Sequence, residues 1–413
     1  MDIWHGYLLS GTGSNEYTRA LARTLAKQGH DVTVFCQDPN ADAYDMSGAR
    51  VVVPNLPGRL PVFVLDKYVG HDPCLLPDMS RAELDAYVEA NAAALREAGP
   101  ADLVIANHVL MGAPVASASG MPYVVKAHGS ELEYAMRDRP NLCTWAAEAL
   151  DDAKAVAVGS EHTARIVTEL TGITQDRMII APPGVDTDDM RPLPRERAMT
   201  QLLDECRNDP PHTSERDPDP DNARRLATFL SNDGPTIVYV GKLIEQKGVD
   251  VLLDACAGLR AQVVVVGFGP QRRALEQQAR DLNVDALFTG PLQHRHLRYL
   301  WPLADVSVVP SVFPEAFGMV AAEAASTGCP PLVARHSGLA EVAAGLETHL
   351  PEDLRILTFD SGDADSLRTQ LDHLLDLTAQ QRQTLSAGCR QAVQDLWSWD
   401  HVAAELLKSA TGQ

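Results

Sequence analysis

The feature that most constrains the fold is a repeated alternation of short β-branched runs with longer helical segments. In the first half of the chain, candidate strands lie at residues 103–106, 123–126, 155–158 and 178–181, with helical patterns between them such as residues 81–98. Strands that alternate with helices in this way indicate a parallel, doubly wound α/β sheet. Sites in such sheets lie at the carboxyl ends of the strands. The residues that follow each strand are therefore the first candidates for function.

The length of the chain predicts more than one domain. At 413 residues it is too long for one ordinary α/β core, and two domains of about 150 to 200 residues are expected. We predict an N-terminal domain over residues 1–190 and a C-terminal domain over 234–391, followed by a helix over 392–413. Residues 191–233 show little apolar periodicity and include alternating Asp and Pro residues, which predicts a solvated linker or insertion.

Charge and cysteine content exclude several classes of function. The net charge is -21, from 56 acidic and 35 basic residues, and such a field repels nucleic acid and anionic lipid. The seven cysteines are scattered and form no Cys-x-x-Cys pair, which argues against a disulfide framework or a structural zinc site. No signal-like or membrane-spanning apolar run is evident. We expect a cytoplasmic protein with a small soluble partner and without membrane association.

The most informative stretch is residues 310–323, where a buried strand runs into an Ala-rich helix. Gly318 in the first turn allows close approach to the backbone, and the free N–H groups of a helix N-terminus suit an anion such as a diphosphate. Glu315 and Glu323 bracket that turn, and each carboxylate can accept hydrogen bonds from vicinal hydroxyls. The alternative is an ordinary helix start followed by a solvated helix face.

Other candidates follow strands elsewhere in the chain. Gly11 and Gly13 lie in a loop before an amphipathic helix, where glycines allow backbone to approach a phosphate. His128 follows the strand at residues 123–126, and its alternative role is a hydrogen bond inside the loop. Asp217, Asp219 and Asp221 lack the preceding buried strand that an Asp-x-Asp metal motif needs, so no metal site is predicted.

In the second half, Lys242 and Lys247 follow the strand that ends at Gly241, and Gly267 and Gly269 follow the next one. A dinucleotide fingerprint would need a third glycine and a well-placed acid, which are not evident here, so a nicotinamide site is rejected.

Taken together, the spacing Glu315-x7-Glu323, the Pro310-Ser311 entry, Phe317-Gly318 and the exit at residues 322–330 resemble the signature of retaining family-4 glycosyltransferases. The resemblance implies the GT-B fold, in which two Rossmann-like domains face a cleft. It also implies that the first domain binds the acceptor, the second binds the nucleotide sugar, and the final helix crosses back to the first domain.

The resemblance implies a role for each matching residue. Glu323 would bind the ribose, Lys242 and Lys247 the diphosphate, and His128 and Glu315 the transferred sugar. Lys242 stands where the family usually has Arg, and Ser337 and Ala340 also depart from its pattern. The remaining donor-binding candidates act mainly through backbone: Gly11, Gly13, Gly241, Gly267, Gly269, Pro291, Phe317, Gly318, Met319 and Val320.

The expected activity is retaining transfer of a sugar from a nucleotide-diphosphate sugar, with UDP favoured, to a hydroxyl of the acceptor. Neither a cofactor nor a metal is expected, because two lysines and a helix N-terminus can neutralise the leaving diphosphate. Alternatives on the same fold are a sugar-nucleotide epimerase, a phosphorylase and a non-catalytic nucleotide-sugar-binding protein. A homodimer is a further possible state.

Overall fold

The computed structural model describes residues 1–9, 13–65, 68–232 and 234–411. Gly11 lies outside the described residues. The chain forms two compact units. Unit 1 comprises Met1–Gly184 and the residues from Trp399 onward, and unit 2 comprises Val185–Ser398.

Unit 1 is built on short buried strands that alternate with helices. Its strands are β1 Asp2–Trp4, β2 Thr33–Phe35, β3 Arg50–Val52, β4 Leu60–Val62, β5 Pro73–Leu75, β6 Val104–Asn107, β7 Tyr123–Lys126, β8 Val156–Val158 and β9 Met178–Ile180. Its helices begin with α1 Ser14–Lys27, α2 Arg81–Ala98, α3 Gly112–Ser119, α4 Pro140–Leu150 and α5 Glu161–Thr171.

The main sheet of unit 1 is parallel, with strand order β3-β2-β1-β6-β7-β8-β9. Strand order reverses between β1 and β6, and such a point creates a crevice at the carboxyl ends of the strands. Apolar clusters cover both faces of the sheet, as parallel sheets require.

Unit 2 repeats this architecture. Its strands are β10 Thr236–Val240, β11 Gln262–Val266, β12 Asp285–Phe288, β13 Val306–Val309, β14 Pro331–Ala334 and β15 Thr358–Phe359, in the order β12-β11-β10-β13-β14-β15. Its helices are α6 Arg195–Arg207, α7 Asn222–Phe229, α8 Val249–Cys256, α9 Arg272–Asp281, α10 His294–Leu300, α11 Met319–Ser326, α12 Ser337–Glu347, α13 Ala364–Leu375 and α14 Ala379–Trp397.

The last helix, α15 Trp399–Thr411, belongs to unit 1, where the Trp399 ring packs 5.3 Å from the ring of Tyr17 in α1. The returning helix therefore begins at Trp399, whereas the sequence suggested residue 392, and α14 stays in unit 2. None of the helices in the described part of the chain is long and apolar enough to cross a bilayer.

The structure corrects the prediction that residues 191–233 form a solvated linker. They contain α6 and α7 within unit 2, and Ala198, Leu202 and Leu226 are fully buried in its core. The apolar positions of α6 recur every four residues, as in an amphipathic helix. The charged residues between them lower the mean hydropathy of the segment, so its apolar face is not evident from the sequence. The Asp219 side chain is also mostly buried, and its carboxylate is compensated by ion pairs with Arg225 and Arg272.

Candidate functional site

The carboxyl edge of the unit 1 sheet gathers three histidines from three strands. His5 follows β1, His108 follows β6 and His128 follows β7. The rings of His108 and His128 lie 4.6 Å apart, measured between centroids. Their position at the reversal of strand order is the one at which doubly wound sheets bind ligands.

Glu131 joins two of these histidines. Its carboxylate accepts a hydrogen bond from the backbone N–H of His128 at 2.6 Å, and its other oxygen lies 3.0 Å from Nδ1 of His108. The Glu131 side chain is fully buried. Glu131 is also the first residue of a π-helix, Glu131–Met136, which is a rare form that is frequent at functional sites. Within the described residues, Nε2 of His108 is buried and has no hydrogen-bond partner.

The His128 ring is held by a neighbouring strand, because its Nε2 lies 2.8 Å from Oδ1 of Asn107. Burial, His108 and Lys126 lower the pKa of His128 well below its usual value, so the ring is neutral near pH 7. Burial likewise lowers the pKa of His5, to about 3. A neutral imidazole can donate and accept hydrogen bonds, which suits it to a hydroxyl ligand.

Lys126 lies beneath this cluster and is fully buried. Its Nζ donates to the carbonyl oxygen of Ala181 at 2.6 Å and lies 5.4 Å from the centre of the Tyr17 ring. Burial lowers the pKa of Lys126 to about 7.

In unit 2 the structure brings Lys247 to Glu315, which lies in the loop between β13 and α11. Nζ of Lys247 lies 2.5 Å from Oε1 of Glu315, and both side chains are partly exposed. Lys242 is exposed at the end of β10. Lys247 therefore presents a positive charge to solvent while paired with the carboxylate that the sequence assigned to the sugar.

Helix α11 positions the second carboxylate. Gly318 caps the helix with φ 128°, a conformation that favours glycine, and Met319 and Val320 form its first turn. Glu323 is mostly buried one turn further on, where Oε1 lies 3.0 Å from Nε2 of His294. His294 is not evident from the sequence, because it begins α10, 29 residues before Glu323, and only the fold brings the two side chains together.

Some predicted donor-binding residues have clear packing roles. The Phe317 side chain is buried against Trp397, with ring centroids 5.3 Å apart, so its backbone alone remains a candidate ligand group. A Cβ atom on Gly267 would lie 1.8 Å from the carbonyl oxygen of Gly241, so glycine is required there for two loops to meet. Gly269 lies in the same turn, Pro291 follows β12, and Gly13 caps α1 with open space around it.

One further cluster resembles a metal site in composition. Potential ligand atoms of Cys206, Asp209 and His296 lie within 4.8 Å of one another. The backbone N–H of Gln293 donates to Nδ1 of His296, so Nε2 must carry the proton that it donates to Asp209 Oδ1 at 2.9 Å. Burial raises the pKa of the Cys206 thiol to about 12. This arrangement offers no lone pair from His296, and it is better described as hydrogen-bonded packing between α6 and α10.

Two parallel α/β units with polar residues at the carboxyl ends of their strands define a protein of the GT-B class, and the comparisons with known proteins agree. The family model described as "Glycosyl transferase 4-like domain" matches residues 12–184, and "Glycosyl transferases group 1" matches residues 223–391. The chain belongs to the group 1 glycosyltransferases, which confirms the prediction of a glycosyltransferase with two α/β domains of the GT-B fold.

Similar proteins were found both among curated relatives and among solved structures. D-inositol 3-phosphate glycosyltransferase from Acidothermus cellulolyticus is 29% identical, over 79% of this chain and 71% of the relative. The protein of the same name from Mycobacterium tuberculosis is 27% identical, over 96% and 78%. In structure, sucrose-phosphate synthase from Thermosynechococcus elongatus has a TM-score of 0.70 at 21% identity, covering 100% of this chain and 98% of the other. Anabaena Alr3699/HepE in complex with UDP and glucose has a TM-score of 0.71 at 15% identity, covering 100% and 99%.

Proposed function

We propose that this glycosyltransferase transfers a sugar from a UDP-sugar to a hydroxyl of a small polar acceptor, with retention of configuration and without a metal ion. The observation that carries the proposal is the meeting of two segments of unit 2: Lys247, from the turn before α8, pairs with Glu315, from the loop before α11, and Glu323 is held in α11. These segments together offer a cation and a helix N-terminus for a diphosphate, and a carboxylate for each sugar ring.

The proposed donor contacts follow from these chemistries. Glu323 accepts hydrogen bonds from the ribose hydroxyls, and Lys247 with Lys242 binds the diphosphate. Glu315 and the backbone from Phe317 to Val320 bind the transferred sugar. The choice of UDP is supported by the fold neighbour HepE, which is in complex with UDP and glucose.

In the proposed reaction the bond between the sugar C1 and the diphosphate oxygen breaks, and its electron pair leaves with the diphosphate. The acceptor oxygen bonds to C1 on the face from which the diphosphate departs, and its proton passes to the departing diphosphate. The configuration at C1 is therefore retained. Lys242, Lys247 and the α11 N-terminus stabilise the charge that develops on the diphosphate.

We assign acceptor binding to unit 1, where the neutral ring of His128 lies beside His108 and Asn107. These groups suit hydroxyls, so a polyol is the proposed acceptor class. The relatives are named for D-inositol 3-phosphate, which makes inositol and its phosphate the first acceptors to compare. The seven cysteines are unpaired, which agrees with the cytoplasmic location that we propose.

The test is binding and turnover with UDP-, GDP- and ADP-sugars, each with and without EDTA. We expect a UDP-sugar to raise the melting temperature in EDTA, because a ligand that binds only the native state stabilises it. Turnover with an acceptor panel, followed by NMR of the anomeric proton, should show a retained configuration. Inverted product would disprove retention, loss of turnover in EDTA would disprove metal independence, and release of an epimerised donor without transfer would favour the epimerase alternative.

A further inference from the structure

The backbone of Glu315 is held by the start of helix α12. Its N–H donates to Oγ of Ser337 at 2.9 Å, and its carbonyl oxygen accepts from the N–H of Gly338, also at 2.9 Å. A Cβ atom on Gly338 would lie 2.7 Å from the carbonyl carbon of Ala316, so the two segments are in close contact. The position of Glu315 thus depends directly on residues 337 and 338.

A histidine extends this contact to the beginning of the same loop. Nε2 of His336 lies 2.6 Å from the carbonyl oxygen of Ser311, and Nδ1 lies 2.9 Å from Oγ of Ser337. A carbonyl oxygen can only accept, so Nε2 carries the proton and, in the neutral ring, Nδ1 accepts from the Ser337 hydroxyl. The hydrogen bonds then run in one direction, from Glu315 N–H to Ser337 Oγ–H to His336.

The same loop is tied to the turn that carries Lys247. The Val312 N–H donates to the carbonyl oxygen of Gln246 at 3.0 Å, and the Ser311 hydroxyl donates to that oxygen at 3.1 Å. His336 and Ser337 therefore hold residues 311–315. One end of this segment contacts the turn that carries Lys247, and the other end carries Glu315.

The backbone conformation of Ser337 indicates that its side chain has a specific structural role. Its φ of 48° lies in the left-handed region, where glycine is favoured and a residue with a Cβ atom is strained. Such strain persists where surrounding interactions stabilise it, and it is frequent at functional sites. Here the stabilising interactions are the two hydrogen bonds of Oγ, which a glycine would lack.

We propose that Ser337 and His336 are positioning residues for the transfer reaction, which fix Glu315 beside Lys247 in the orientation that the transferred sugar requires. The proposal rests on the proposed function of the unit 2 loop. Because Glu323, the proposed ribose ligand, lies on α11 and not in the loop that Ser337 holds, loss of the Ser337 hydroxyl should lower kcat more than it lowers the affinity for UDP.

The decisive comparison is between Ser337→Gly and Ser337→Ala. Both variants remove the hydroxyl, but Gly also relieves the backbone strain, so Gly should be the more stable of the two. We expect both to lower kcat by about tenfold, the typical effect of one mispositioned hydrogen bond. Wild-type kcat in Ser337→Gly would overturn the proposal, because it would show that backbone geometry alone matters. Ser231→Ala, which changes an exposed serine of the same unit, is the matched control.

A double-mutant cycle tests whether the two residues act together. His336→Phe should lower kcat like Ser337→Gly, and the double variant should be no worse than either single variant. Fully additive losses would disprove a shared hydrogen-bond chain.

A spectroscopic measurement keeps this inference separate from the proposed activity. In wild-type protein labelled with ¹⁵N-histidine, His336 should show the neutral tautomer protonated at Nε2, and this signal should change in Ser337→Gly. A tautomer protonated at Nδ1 would overturn the inference even in an active enzyme. The expected tautomer in a protein that transfers no sugar would support the hydrogen-bond chain and contradict the proposed function alone.

Discussion

The two units hold their candidate residues in opposite ways. In unit 1 the histidines and Glu131 are mostly shielded from solvent, and burial keeps His5 and His128 neutral. In unit 2, Lys247 and Glu315 form an ion pair with side-chain exposures of 31% and 21%. Opposite charges that remain accessible can exchange partners when an anion arrives, whereas a buried neutral cluster offers fixed donors and acceptors. The contrast suits unit 2 to a diphosphate and unit 1 to hydroxyls.

The largest expected effect tests the charged half of this comparison. Lys247→Ala should lower the transfer rate on the order of a hundredfold or more, because the departing diphosphate loses a cation. Lys247→Arg should restore part of the rate. The measurement is steady-state transfer from the UDP-sugar, with the exposed Lys154→Ala as the control. A near-normal rate in Lys247→Ala would remove the diphosphate assignment.

The second prediction tests the buried half. In Glu131→Gln the amide cannot accept from both the His128 N–H and His108 Nδ1, so one buried donor loses its partner. We expect the free energy of unfolding to fall by about 2–3 kcal/mol in urea titrations, with little change in UDP affinity. Glu133→Gln, at a partly exposed ion pair in the same π-helix, should cost less than about 1 kcal/mol. Equal losses in the two variants would contradict the special role of Glu131.

A pH dependence of stability distinguishes Lys126 from the exposed lysines. Its pKa is about 7 in the folded protein and 10.5 in the reference state, so the unfolded chain binds more protons between these values. The free energy of unfolding should therefore rise with pH through this window. Relative to Lys126→Met, the wild-type protein should gain about 2 kcal/mol between about pH 6 and about pH 8.5. Parallel pH profiles for the two proteins would show that Lys126 keeps an ordinary pKa.

The smallest expected effect concerns the other carboxylate of unit 2. His294→Ala removes the hydrogen bond to Glu323, whose side chain should then lose orientation for the ribose. We expect UDP affinity to fall by about threefold to tenfold in calorimetric titrations. His349→Ala removes a comparable His–carboxylate pair with Asp395 and should leave affinity unchanged. If UDP affinity is also unchanged in His294→Ala, Glu323 is oriented by other contacts.

The sequence predicted the fold well where its signals are local. Most buried strands were recognised because central parallel strands are continuous apolar runs. The edge strand β12, with sequence Asp-Ala-Leu-Phe, was missed because an edge strand is less buried and its pattern is weaker. Helices α6 and α7 were missed because charged residues interrupt their apolar positions.

The candidate site shows the same difference between residues with local sequence signals and residues without them. Lys247, Glu315 and Glu323 lie in compact motifs, and the sequence could suggest them together. The pairs between Glu131 and His108 and between His294 and Glu323 join separate strands and helices, so neither member signals its partner in the sequence. In the sequence, Ser337 stands out only as a departure from the family pattern. Its hydrogen bonds are visible only in the structure.

Helix α15 has a consequence for how the protein is made. Unit 1 is discontinuous in sequence, since all of unit 2 is translated between Gly184 and Trp399. A nascent chain therefore carries the Tyr17 face of α1 uncovered until the last helix leaves the ribosome. We expect unit 2 to be able to complete its core first, although it comes second in the chain. The N-terminal segment must remain protected from aggregation during that interval. A fragment that ends at Gly184 would lack α15, the helix that covers this face of α1.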